Sequence, residues 1–403
     1  MRVASFRSLV LALLVASFAG PRSGSGAAPG AVQQVGLTIP NLMGYWPLDE
    51  TALGTAADLS GNANTGTHSN NPTISTAVAP VPAGNQRSLL LTTGNDLVQI
   101  PDSASLSVGG AFTLSAWINT NATLPSANQQ GILEKFEYNG TQFVNGFTFR
   151  LTTNGYLSFS VLDAVGPPFG ITTAPRVVPL SAWVHVAGVY DPALASQNLK
   201  TYVNGALDPS TGNYTNPPGN GASNMHIGAD YGSNQFSGNI DEARVYNRAL
   251  TLEEVNVLRT GQPAPTNLML TPAPGSITVS WTAPAPQPNV TVTYTVQRAP
   301  AGAGPWTTVA SAIPYGTPTY NDNGLTFGQT YFYRVFAISV MESVPLGPQS
   351  ASPLSNIPRP PSDNDEGLWG DKCSCGTSMA PAPGLFLGCA SLAAFLMLAL
   401  RRR

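Results

Sequence analysis

The chain has 403 residues, of which 10% are charged, and a net charge of −3; an average soluble protein carries roughly 25% charged residues. No basic stripe or patch is present, so nucleic acid is not an expected partner. Three cysteines, all after residue 372, leave the body without disulfides; a chain long enough for two or three domains can bury sufficient surface without them.

The first twenty residues, "MRVASFRSLVLALLVASFAG", place Arg2 and Arg7 before an apolar run over 9–18 and then small residues. That is the pattern of a secretory signal peptide, here 1–28, with Ser17-Phe18-Ala19 fitting the small-x-small rule and Ala27 or Ala28 as later options. The run is too short to span a bilayer. Export is the expected destination. Residues 29–40 are small and polar without periodicity and read as a flexible lead-in.

From "GYWPLDE" to residue 261, short alternating runs recur between turn signals, the pattern of an antiparallel sandwich. In "FTLSAWINT", Phe112, Leu114, Ala116 and Ile118 oppose Thr113, Ser115, Trp117 and Asn119. Asn154-Gly155 and Asn204-Gly205 are each expected to form a two-residue hairpin reversal, because both residue types accept positive φ. One helix is expected over "TLEEVNVLR": Thr251 and Glu254 form a capping box, Val255 and Leu258 its apolar stripe, and Gly261 its stop.

Four blocks, "GYWPLDE…DLSGNANTG", "LVQIPDSASL…FTLSAWI", "WVHVAGVYD…LKTYVNG" and "FSGNIDEARVYNRALTLEEVNVL", resemble in this order the blocks of laminin G-like, concanavalin-type jelly rolls. The resemblance covers 41–261 and implies two antiparallel sheets packed face to face. Beyond the break at Pro263 and Pro265, "GSITVSWTAP", "VTYTVQRAP" and "YFYRVFAIS" read as strands. Trp281, Tyr294 and the Leu325/Tyr331 spacing of a tyrosine corner make 264–357 resemble a smaller, immunoglobulin-like fibronectin type III sandwich. Alternation puts Tyr331, Tyr333, Val335 and Ala337 inward and Phe332, Arg334 and Phe336 outward. The fold class is thus all-β with terminal targeting helices.

Residues 358–380 form a linker carrying a cysteine motif. The stretch over 381–403, ending in Arg401, Arg402 and Arg403, is just long enough to cross a bilayer with its arginines on the cytoplasmic side. A cysteine pair, an apolar segment and a basic end resemble the C-terminal sorting signals of secreted myxobacterial proteins. That resemblance makes Cys373 or Cys375 the processing or anchoring residue; a simple membrane anchor is the alternative.

For chemistry, "DLSGNANTG" sets side-chain oxygens at alternate positions, as hard cations prefer. Laminin G-like jelly rolls often carry calcium; the resemblance makes Asp58 and Asp241 its acids, with Asn62 beside them, while the alternative is that Asp58 and Asn62 form Asx turns. His185 reads as a packed strand histidine, and no His/Cys spacing supports zinc. Polysaccharide-cleaving jelly rolls carry Glu-x-Asp-x-Glu on one strand; around Asp241 the two glutamate positions hold Asn239 and Ala243, and Glu134 and Glu137 are three apart, so a non-enzyme is expected. What remains is binding. Aromatic residues among Asn and Gly in the loops, chiefly Tyr138, Phe169, Tyr214 and Tyr231 together with Phe143 and Phe236, suit a sugar's apolar face and hydroxyl rim. The expected partner is an extracellular glycan. A surface protein held through outward Phe332 and Phe336 is the alternative, as is a structural role.

Overall fold

The structure is a computed structural model that describes residues 39–355 except 82–84, 93–94, 122–128, 165–168, 173–176 and 230–234. The expected signal segment, most of the lead-in, the linker and tail with Cys373 and Cys375, and Tyr231 lie outside the described residues. Among those described, no helix is long and apolar enough to cross a membrane.

Two eight-stranded antiparallel sheets build the first domain. One runs Ala206–Leu207, Leu199–Val203, Trp183–Tyr190, Phe112–Thr120, Gly238–Tyr246, Ser88–Leu91, Thr73–Ser75, with Leu42–Trp46 also paired to Gly238–Tyr246. The other runs Phe169–Thr172, Leu157–Leu162, Phe143–Leu151, Gln130–Tyr138, Met225–Ile227, Leu97–Ile100, Gly66–Ser69, Thr55–Ala56. Strict alternation sends Phe112, Leu114, Ala116 and Ile118 from the first sheet, and Phe147, Phe149, Leu151, Leu157 and Phe159 from the second, into one shared core. Phe112 lies 5.4 Å from Phe147, 5.7 Å from Phe159 and 5.7 Å from Tyr190, ring centre to ring centre. Each side chain of this size contributes about 1.5–3 kcal/mol by leaving water.

The two Asn-Gly turns differ. Asn204 and Gly205 both take positive φ (50° and 73°) and close Val203 directly onto Ala206, as a two-residue reversal requires. At Asn154-Gly155 only Gly155 is positive, and Thr152 N–H donates to Tyr156 O at 2.7 Å. That turn is longer than the sequence suggested, because the strands pair only from Leu151 and Leu157 outward.

The helix spans Leu252–Thr260 with the full Thr251/Glu254 capping box, and Gly261 ends it at φ 85°. Val255 and Leu258 pack on the outer face of the first sheet, against Tyr45, Ala187, Val189, Tyr202 and Tyr246.

The second domain pairs a three-stranded sheet (Thr266–Ala273, Ser276–Thr282, Thr319–Asn323) with a four-stranded one (Thr307–Pro314, Thr293–Ala299, Tyr331–Ile338, Leu346–Ala351). Trp281, Tyr294, Tyr333, Val335 and Ala337 fill its core. Tyr331 Oη accepts from Thr326 N at 3.1 Å, tying the end of the chain reversal to the strand that follows.

Phe336 corrects the sequence reading. It points away from its own core, as alternation requires, yet it is buried with Ile338, Val340 and Met341 in the cluster under the helix of the first domain. Tyr246 Oη donates to Val340 O at 2.6 Å, and Ser339 Oγ donates to Gln262 Oε1. The turn after Tyr331–Ile338 is therefore docked on the first domain, which removes Phe336 as an adhesive surface.

Candidate functional site

Helix and second domain cover one outer sheet face; the other sheet presents a different surface. Thr67, Gln99, His226, Glu134, Thr148, Ser160 and Gly170 are successive register partners across seven of its strands. Their neighbours Val98, Ile227, Leu133, Phe149 and Phe159 belong to the core, so alternation turns this row away from the core, although Glu134, Thr148 and His226 within it are themselves buried. Arg150 forms a bidentate pair with Glu134, Nε to Oε1 and Nη2 to Oε2, and both side chains are buried.

The aromatic part of this face grows from the hairpin Gln130–Tyr138/Phe143–Leu151. Tyr138 pairs with Phe143 in register, and their rings lie 5.5 Å apart. Phe143 meets Phe136 edge-on at 4.8 Å. The Arg150 guanidinium sits 5.5 Å from the Phe136 ring and 5.8 Å from that of Phe143. Tyr138 is 61% exposed. Phe143 thus rests on the guanidinium of a buried ion pair, and Tyr138 packs on Phe143.

The other loop aromatics do not join them. Phe236 is wholly in the core. Tyr214 packs against that core, with Asn198 bonded to its backbone on both sides at 2.7 Å; burial and a hydrogen bond to Asp163 push its phenol up to about 12. Phe169 contributes its backbone to the sheet edge, opposite Val161.

The expected metal residues separate as well. Asp58 accepts from Tyr45 N (3.0 Å), Ser60 N (2.8 Å), Ser60 Oγ (2.8 Å) and Asn64 N (2.7 Å). Asn62 donates to Leu42 O at 2.9 Å. These residues stitch their own loop to the first strand, the Asx-turn alternative. Asp241 lies elsewhere, where the Gly238–Tyr246 strand changes partner from Ser88–Leu91 to Leu42–Trp46. Its Oδ2 accepts from Ala79 N (2.9 Å) and Asn85 Nδ2 (2.8 Å), while Oδ1 is buried without a partner. Asn85 Oδ1 is also unpartnered. Asp49, absent from the sequence-based set, holds the same segment by accepting from Gln86 N and Arg87 N, both at 2.7 Å. Burial, then the neighbouring Glu242 charge, pushes the Asp241 carboxyl well above the usual range.

Among the described residues, no three His, Cys, Asp or Glu side chains gather as a metal-holding group. Beside Asp241 stand the Asn85 amide, which turns its Nδ2 to the carboxylate, and the Asp49 charge, which adds to the rise of its carboxyl. His185 is buried, with Nε2 2.9 Å from Ser115 Oγ, and burial lowers its pKa to about 3. It is a neutral packing residue.

Comparison with known proteins agrees with this architecture. Residues 92–256 match the family model of the concanavalin A-like lectin/glucanases superfamily, and residues 263–350 that of the fibronectin type III domain. No curated protein matches the chain. Among solved structures, domain 4 of the extracellular arabinanase AbnA from Geobacillus stearothermophilus, in complex with arabinotriose, is 20% identical with a TM-score of 0.39 over 55% of this chain and 98% of that one. The binding domain of Paraclostridial Mosquitocidal Protein 1 is 14% identical, TM-score 0.43, over 73% and 77%. Trypanosoma rangeli sialidase is 16% identical, TM-score 0.41, over 59% of this chain and only 36% of its own length. Likenesses of this size bear on neither activity nor ligand. The first matched segment falls within the first sandwich and the second spans the smaller one, and the chain carries a concanavalin A-like jelly-roll domain followed by a fibronectin type III domain.

Proposed function

We propose that this is an exported, surface-associated, non-catalytic protein whose jelly roll binds extracellular carbohydrate on the outer face of the second sheet. The observation that carries the reading is the Tyr138–Phe143 ring pair, exposed at the strand ends and supported by buried Arg150 and Glu134. A pyranose offers an apolar face to such rings and hydroxyls to polar neighbours. Glu134 is committed to Arg150, and Glu137 to Asn145 Nδ2 (2.6 Å) and Ala222 N (2.7 Å). These commitments support binding over hydrolysis, which needs two carboxylates flanking a scissile bond.

The test is affinity electrophoresis of the full chain against a panel of polysaccharides. Retardation by at least one, lost in Tyr138→Ala/Phe143→Ala at unchanged melting temperature, is the expected result. If no polysaccharide retards the protein, or the double variant is retarded equally, the reading is wrong. Release of reducing ends that Glu134→Gln abolishes would instead favour a glucanase.

Calcium belongs to this reading, with Asp241, Asp49 and Asn85 as its holders in place of Asp58 and Asn62. Its buried, unpartnered Oδ1 is what fits Asp241 to a cation, and so small a donor set suits a Kd of ~10⁻⁴–10⁻³ M. The cation would pin Ala79 and Asn85 to the sheet. Export and anchoring are supported by the signal pattern at the start and the Cys373/Cys375, apolar and arginine pattern at the end. Mass spectrometry of protein recovered from its host checks both, reading the mature N-terminus and any processing at Cys373 or Cys375.

A further inference from the structure

Asp241 and Glu242 sit in a bulge: register with Phe112–Thr120 shifts between Asp241 and Arg244, and Glu242 takes φ 55°. A non-glycine residue in that conformation is held there by its surroundings. The two side chains leave the bulge for different places. Asp241 meets Ala79 and Asn85. Glu242 accepts from Tyr45 Oη (3.2 and 3.1 Å) and from Arg244 Nη2 (2.5 Å). The Arg244 guanidinium lies 3.9 Å from the centre of the Tyr45 ring. Tyr45, together with Tyr246, belongs to the cluster that receives Phe336, Ile338, Val340 and Met341 of the second domain. One peptide bond therefore separates Asp241 and its partners from the floor of the domain joint.

We infer that this bulge couples cation binding at Asp241 to the docking of the fibronectin-type domain: a divalent cation held by Asp241, Asp49 and Asn85 fixes the bulge, Glu242 then holds Tyr45 and Arg244 in place, and the joint tightens. The inference rests on the calcium reading above. By reciprocity, a docked second domain raises cation affinity by the same factor.

Hydrogen exchange of the full chain, followed with millimolar calcium and then with chelator, tests it. Calcium is expected to slow exchange of the amides over 337–343 by about fivefold or more. Amides of Ser276–Thr282, in the second domain but outside the joint cluster, should not change. Asp241→Asn is expected to remove the response; Asp49→Asn serves as a second variant should the first fail to fold. If titration calorimetry registers calcium binding while protection over 337–343 stays constant, the coupling is overturned and the calcium reading stands. If calorimetry registers no binding, both are overturned.

Discussion

Gly44 shows how much one residue decides. A Cβ built there would lie 2.2 Å from the Trp46 ring, which is fully buried and donates from Nε1 to Asn64 O at 2.9 Å. Gly44→Ala must push that ring out of a packed core, so a loss of about 1–3 kcal/mol is expected. Gly109→Ala, whose Cβ would meet nothing within 4 Å, should change stability by no more than about 0.5 kcal/mol. Urea unfolding of the two variants measures the contrast; equal midpoints would refute it. Sequence exposed some of this scale and hid the rest. The Asx alternative for Asp58 was readable because donors and acceptor lie within a few residues. Asp49 and Asn85 were not, because they come from separate segments: Asn85 reaches Asp241, 156 residues further on, only in the folded sheet, and Asp49 joins them only through Gln86 and Arg87.

Elements were the most legible scale, since period-two alternation and cap chemistry are local. The helix is a case that measurement can weigh. Thr251 Oγ1 accepts from Glu254 N at 3.2 Å, and Glu254 Oε2 accepts from Thr251 N at 2.9 Å while also binding Arg248 at 2.7 Å. Thr251→Ala should cost about 1 kcal/mol, within the usual 0.5–2. Thr251→Asn should restore most of it, because the amide oxygen can still cap. Differential denaturant unfolding of the three proteins gives both numbers, and an Asn variant no better than Ala would show that the hydroxyl acts through something other than capping. The Asn154-Gly155 turn was misread for a related reason: the dipeptide fixes which residue can take positive φ, but the length of the loop depends on where two strands stop pairing, and that is set across the sheet.

At the scale of the molecule, what the sequence could not convey is that the second domain is docked. Alternation assigned Phe336 to an outer face correctly but could not say that another domain covers it. The docked turn also carries Glu342 into the joint, where Glu242 and Arg244 face it across the interface with Tyr45 and Tyr246. Burial raises the Glu342 carboxyl from 4.5 to about 7, against the lowering pull of Arg244 and with a further rise from Glu242. A folded-state pKa above the unfolded one means that the folded protein binds the proton more tightly between those values. The stabilisation is then complete below pH 4.5, declines as pH rises from 4.5 to 7, and is gone above 7. The span corresponds to on the order of 3 kcal/mol. Asp241, Asp49 and Glu50 are raised in the same direction, so the slope of the wild-type protein alone would not isolate Glu342. Glu342→Gln does: it keeps the shape, removes the titration, and leaves the other three. Chemical unfolding at pH 4.5, 6 and 8 should therefore give a stability difference between variant and wild type that moves steadily in favour of the variant as pH rises. A difference independent of pH would place the Glu342 carboxylate in contact with water, and the joint would have to be looser than its buried Phe336 and Val340 imply.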